Sequence, residues 1–171
     1  NRAYQWYQKG SLILYGLRDL IGEKTLNTAL REFRDSFALK EIPPFAGSDD
    51  LYRFIQKHTP DSLNYYLTDT WEKITLYDNR FLSASAKDAG NGYYDVNINF
   101  SAKKFYADST GKETDAMMND YIDIGIFAAD TRNKENFKQT NPLYLQKHKL
   151  TPGTKTLTIR VKGKPVKAGI D

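Results

Sequence analysis

Asn91-Gly92-Tyr93-Tyr94-Asp95-Val96-Asn97-Ile98-Asn99-Phe100-Ser101 reads as a turn and the strand that leaves it. Tyr94, Val96, Ile98 and Phe100 alternate without a break against Asp95, Asn97, Asn99 and Ser101, the period of a strand with one buried face and one wet face. Asn91-Gly92 separates this run from Leu82–Ala86. Both turn residues tolerate positive φ, so the pair predicts a tight hairpin. Further along, Ile122, Ile124, Ile126 and Ala128 alternate around Asp123, Gly125 and Phe127, and Leu157, Ile159 and Val161 alternate with Thr158, Arg160 and Lys162. Asp108 to Gly111 and Pro152-Gly153 mark further turns. Strands joined by such turns predict an antiparallel sandwich.

The period is different before residue 72. Trp6, Lys9 and Gly10 are followed by Ile13, Leu17, Leu20 and Ile21 at close to 3.6 residues per turn, and Gly22 predicts the stop. Leu26, Ala29, Leu30, Phe33 and Phe37 form a second apolar stripe, with Arg31, Glu32, Arg34 and Asp35 opposite, as on a helix laid against a core. Pro43-Pro44 breaks the pattern. Ser48 is placed to cap a third helix whose buried face is Leu51, Phe54 and Ile55, with Asp49 and Asp50 at its positive end. Thr59-Pro60-Asp61 predicts a restart with Thr as cap and Pro in the first turn. Leu63, Tyr66 and Leu67 continue it, and the helix fades near Trp71.

The fold class expected is therefore α+β: an N-terminal segment of about four helices packed on a C-terminal antiparallel β-sandwich. Residues 1–72 form the helical part and 73–171 an Ig-like sandwich, with no Gly/Ser linker between them. The 171 residues suit one ordinary domain or two small ones, and a composition 40% apolar and 27% charged is that of a folded chain. No apolar run reaches the length of a membrane span. The absence of cysteine excludes disulfides and thiolate metal sites. The opening, with neither an initiator Met nor a charged-then-apolar leader, is that expected of an excised or processed fragment. Net charge is +4 and resides in the second part, where residues 73–171 carry 16 basic and 11 acidic side chains. Lysines such as Lys147, Lys149, Lys162 and Lys167 on outer strand faces keep sheets soluble; the alternative is a basic footprint for nucleic acid or anionic lipid. The first reading is preferred, and no nucleic-acid partner is expected.

Tyr7-Gln8-Lys9-Gly10, within Tyr4-Gln5-Trp6-Tyr7-Gln8-Lys9-Gly10-Ser11-Leu12-Ile13-Leu14-Tyr15, resembles the Tyr-x-Lys-Gly element of gluzincin-type, aminopeptidase N-like zinc metallopeptidases. The apolar run ending at Leu20-Ile21-Gly22 continues as the family helix does, and the layout of helices followed by a sandwich is similar over the whole chain. Thr68-Asp69-Thr70-Trp71-Glu72-Lys73-Ile74-Thr75-Leu76-Tyr77-Asp78 looks like a bacterial branch in which this region is fused to transporter-permease membrane segments. The resemblance implies that Tyr7 hydrogen-bonds the transition-state oxyanion in the parent protein. A neutral phenol on a rigid helix can do this with little reorganisation; the alternative is that Tyr7, one of 12 tyrosines, only packs. It also implies zinc in the parent, the remainder of the peptidase domain, a peptide substrate and the permease's membrane-spanning segments as partners, and a place on the extracytoplasmic face of a bacterial membrane.

The family's chemistry needs two His, one Glu and an acid/base glutamate. No His-Glu-x-x-His and no Gly-x-Met-Glu-Asn occurs, so the fragment is expected to hold no zinc and to be inactive alone. Both elements lie upstream of the tyrosine in the family; a parent without zinc is equally compatible. The only histidines are His58 and His148. His58 reads as a helix C-terminal residue favouring the negative dipole end, and His148 as a solvent-facing strand residue. Asp78-Asn79, Asp88 and Asp108-Ser109 read as turns rather than calcium ligands. The aromatic set from Tyr4 to Tyr94 reads as core, with an apolar patch expected around Trp6, Leu12, Ile13 and Leu14 where a missing catalytic core once lay. Two alternatives stand beside the peptidase fragment: a non-catalytic β-sandwich protein-binding module of a membrane-associated bacterial protein, and an independent surface domain.

Overall fold

A computed structural model describes residues 9–132, 138–139 and 141–171. These form an α+β fold, helices first and antiparallel strands after. They divide into two compact units, one ending at Lys73 and the other running from Ile74 to Asp171, each with its own core.

Helix α1 spans Gly10–Ile21 and stops at Gly22, whose φ of 86° lets its N–H reach the Arg18 carbonyl at 2.8 Å. Helix α2 is Glu23–Phe37 and α3 is Ser48–His58. The apolar stripes meet as expected: Leu17, Leu26, Ala29, Ile55 and Leu67 form the helical core. Each larger side chain contributes about 1.5–3 kcal/mol by leaving water. Phe33, Phe37 and Phe54 close the α2–α3 contact, with centroids 5.3 to 6.3 Å apart.

Two expected caps are placed differently. Ser48 is the first residue inside α3, not its cap; Gly47 holds the cap position, and the Asp50 carboxylate accepts the Gly47 N–H at 2.9 Å. The acid at the third position thus supplies the capping oxygen. Thr59 ends α3 instead of starting the next helix, because its hydroxyl donates back to the Ile55 carbonyl at 2.9 Å. The chain then makes a 3-10 turn at Asp61–Leu63, the short helix α4 at Asn64–Leu67 and a π turn at Thr68–Glu72.

Tyr66 fastens this end to α1 by donating its hydroxyl to the Ile13 carbonyl at 2.9 Å. Gly16 lies beneath it, and a methyl group there would overlap the Tyr66 hydroxyl. Gly16→Ala therefore destabilises the helical unit by about 1–2 kcal/mol despite the better helix propensity of Ala. In a Tyr66→Phe background the overlap with the hydroxyl is gone and a close approach of 3.3 Å to the ring Cζ remains, so the same change costs less than in the parent, which a pair of thermal melts decides.

Burial pushes the Tyr66 phenol up to about 12. Burial and then the Glu72 carboxylate push Tyr52 up to about 12 as well. Raised values in the folded state mean that their contribution is complete below the ordinary tyrosine range and is lost as pH rises from about 10 toward 12. Alkaline absorbance titration should find these two phenols ionising late and together with loss of helix.

In the second unit, β1 is Ile74–Tyr77, β2 Arg80–Gly90, β3 Tyr93–Ala102, β4 Lys104–Ala107, β5 Glu113–Asp115 and β6 Asp120–Phe127. After these come β7 (Thr131–Arg132), β8 (Lys138–Gln139), β9 (Pro142–Leu150), β10 (Gly153–Lys162) and β11 (Lys167–Ile170). Asn91 and Gly92 turn the β2–β3 hairpin at φ 54° and 76°. The strands form sheets in the orders β10-β3-β2, β11-β6-β9 and β1-β4-β5, with β7 paired to β8. Val96, Ile98 and Phe100 of β3 meet Ile124 and Ile126 of β6, with Leu150 and Val161, in one core. The first two sheets are thus the layers of an antiparallel sandwich. Pairing of β3 with β10 is continuous from Tyr93–Lys162 to Ala102–Gly153, so every outward residue of β3 stands beside an outward residue of β10.

Candidate functional site

Tyr7 lies outside the described residues, as does Trp6. Gly10, next along the motif, begins α1 and is half-buried, while Lys9 is exposed in a helical conformation, φ −62° and ψ −45°. Beside this end of α1 is a groove of about 690 Å³. Its walls come from Lys9, Gly10, Ile13 and Leu14 of the α1 segment, Ser48 and Leu51 of α3, and Thr70 and Trp71 of the π turn. Periodicity places Ile13 and Leu14 toward α3, and the capping of α3 by Asp50 brings Ser48 and Leu51 to the same wall. Trp71 is held edge-on to Tyr52 at 5.8 Å, and the Tyr52 hydroxyl donates to Glu72. Thr70 donates to the Tyr66 carbonyl at 2.6 Å. The walls are mainly apolar and set by side chains with fixed partners. Of the expected apolar patch, Leu12 is 68% exposed, as is neighbouring Tyr15 at 62%, whereas Ile13 and Leu14 are half-buried in the groove wall.

The histidines do not converge. His58 ends α3, where its Nε2 lies 3.0 Å from Glu32 Oε2; Lys57 Nζ reaches the same oxygen at 2.9 Å. The His58 ring and then the Lys57 ammonium hold the Glu32 carboxyl below its usual range. His148 belongs to the other unit and is half-buried rather than solvent-facing, with its Nε2 2.6 Å from the Tyr144 hydroxyl. It takes the inward phase of β9, opposite Ile122. Among the described residues no group of three or more His, Cys, Asp or Glu could hold a metal ion. They therefore do not fit a zinc centre. The turn carboxylates serve their own turns: Asp108 accepts from the N–H groups of Thr110 and Lys112, Asp88 from that of Gly90, and Asp78 pairs with Arg80.

Sequence reasoning missed a buried polar cluster in the sandwich unit. Lys104 Nζ lies 2.9 and 3.1 Å from the two Asp120 oxygens, with side chains only 2% and 3% exposed. The Tyr77 hydroxyl donates to Asp120 at 2.9 Å and the Asn119 N–H at 3.0 Å. These bonds tie β1 and β4 to the first residue of β6. One signal was present: Asp120 shares the phase of Ile122, Ile124 and Ile126, which places a carboxylate on the inward side of its strand.

Of the cations in the basic second part, Lys147 pairs across the strands with Asp123 at 2.8 Å, and Arg160 with Asp95 at 2.7 Å. Lys149 lies over the Tyr121 ring, 5.8 Å from its centroid. No described helix is long and apolar enough to cross a membrane. No protein-family model matches the chain, and no curated protein does either.

Proposed function

We propose that this chain is the C-terminal part of an aminopeptidase N-like zinc metallopeptidase, inactive alone, in which Tyr7 supplies the oxyanion hydrogen bond of the parent enzyme. The observation that carries the reading is the run Tyr7-Gln8-Lys9-Gly10 leading directly into α1 beside an apolar groove. One feature supports it. The outer side of α1 leaves Leu12 and Tyr15 exposed, which suits a helix that the remainder of the peptidase domain covers. The zinc of the parent would be held by residues upstream of Tyr7, where the family carries its ligands. The substrate is a peptide, and the parent is a bacterial protein joined to transporter-permease segments at the extracytoplasmic face of the membrane.

The test is the zinc content and aminopeptidase activity of the full-length parent, beside its Tyr7→Phe variant and this chain alone. Zinc, activity in the parent, collapse in the variant and none in the chain alone are expected. Zinc-dependent cleavage of aminoacyl substrates by the chain alone would sink the proposal. A parent with neither zinc nor activity would transfer the function to binding by the sandwich.

A further inference from the structure

The outward face of the β10-β3-β2 sheet carries an ordered array that the peptidase reading leaves unused. Register places Ser83, Asn99 and Thr156 in one row and Ser85, Asn97 and Thr158 in the next. The Thr156 hydroxyl donates to Asn99 Oδ1 at 2.6 Å, and Asn99 Nδ2 donates to the Ser83 hydroxyl at 2.8 Å. In the second row the Thr158 hydroxyl donates to Asn97 Oδ1 at 2.6 Å. The serines and threonines of both rows are exposed and the asparagines half-exposed. Beyond the rows, Asp95 and Arg160 close a two-point pair at 2.7 and 2.9 Å. One step further, on the same face of β3, stands Tyr93, 40% exposed.

We propose that this face binds an extended, uncharged polysaccharide chain. Three observations select that occupant. The two central rows hold six neutral hydroxyl and amide side chains, which match a ligand dense in hydroxyls. A nucleic acid would instead need cations along the phosphate repeat; on this face Lys87, Arg160 and Lys162 gather at one end, beside Asp95 and Tyr93, and no cation stands within the two central rows. An apolar peptide would leave the rows desolvated and unmatched. The hydrogen bonds within each row fix the asparagine orientations before binding, so little ordering remains to be done when a ligand arrives. The rows also have direction. In the first, Thr156 donates inward and keeps lone pairs to accept, while Ser83 accepts inward and keeps its O–H to donate. Strands about 4.8 Å apart, with same-face residues about 6.6 Å apart along each, present these groups as a flat grid. Tyr93 adds an aromatic side chain one row beyond the Asp95–Arg160 pair, on which a sugar ring of an extended chain can stack. The inference stands whether or not the chain derives from a peptidase.

Affinity electrophoresis of the chain through gels containing soluble β-glucan, xylan, mannan or the acidic polygalacturonate tests it. Retardation by a neutral polysaccharide, unchanged by added salt, is expected. Tyr93→Ala should weaken it roughly tenfold. Ser85→Arg, which fills the middle of the grid from an exposed position and leaves the Thr158–Asn97 bond in place, should abolish it. Thermal melts of both variants check that the sandwich is intact, and Thr158→Val serves as a second, milder probe of the same row should Tyr93→Ala prove unstable. The proposal is overturned by migration unaffected by every polymer, by retardation that Ser85→Arg leaves unchanged, or by retardation confined to polygalacturonate and lost in salt.

Discussion

Lys104→Met lowers the stability of the sandwich unit by about 3–5 kcal/mol, while Lys104→Met combined with Asp120→Leu restores most of it. Which charge is left alone decides the outcome. Lys104 and Asp120 are 2% and 3% exposed, so neither reaches water once its partner is removed. The single change leaves a buried carboxylate that has lost its cation and keeps the Tyr77 hydroxyl and the Asn119 N–H as donors. The double change removes both desolvation penalties and replaces them with apolar contact, leaving the Tyr77 and Asn119 donors without that acceptor, a residual loss of about 1 kcal/mol. Tyr77→Phe alone should fall in the same small range. Amide exchange in β6 reads this unit by itself. Wild-type protection in Lys104→Met, or equal losses in the single and double variants, would contradict the argument.

The cluster also marks where the sequence stopped being readable. Strand β3 was legible because its alternation is strict and its hairpin residues have only one common use. Helices α1 and α2 were legible for the same kind of reason, an apolar period in each, with Gly22 as the expected stop of α1; α2 ends at Phe37, ahead of the break expected at Pro43-Pro44. Strand β4 was not, since Lys104-Phe105-Tyr106-Ala107 is four residues long and turns its cation inward against every expectation from composition. The α3 cap was misplaced because Ser48 and Asp50 both offer a suitable oxygen, and only geometry chooses between them. His148 was misassigned by its lysine neighbours: the strand's inward phase, set by Ile122 across from it, outweighs the local charge. The outer-face rows could be anticipated as polar, but not as mutually bonded, because register between β3 and β10 depends on a connection of some fifty residues. Tyr7 belongs to a third class. No rule of packing or period distinguishes a phenol that meets a transition state from one that fills space, and only resemblance singled it out.

Tyr7→Phe in the full-length parent reduces kcat by about 10²–10³, equivalent to roughly 2.7–4 kcal/mol of transition-state stabilisation. The phenol's proposed bond goes to an oxygen that becomes negative only during attack on the peptide carbonyl. Removing the hydroxyl therefore leaves substrate binding nearly as it was, and the loss falls on kcat with KM little changed. Zinc content should be unaffected, because the ligand set the resemblance implies is two His and one Glu, without the phenol. Phe retains the ring, so a purely structural Tyr7 would show the opposite pattern: a lower melting temperature, within about 1–2 kcal/mol of the parent, and an unchanged kcat. Lys24→Met provides the internal control. Lys24 is exposed on α2, outside the groove and the motif, so its loss should leave kcat within about twofold of the parent, a difference well under 1 kcal/mol. A Tyr7→Phe enzyme with full kcat, or a Lys24→Met enzyme impaired as deeply as Tyr7→Phe, would remove Tyr7 from the reaction and leave the motif a feature of helix packing.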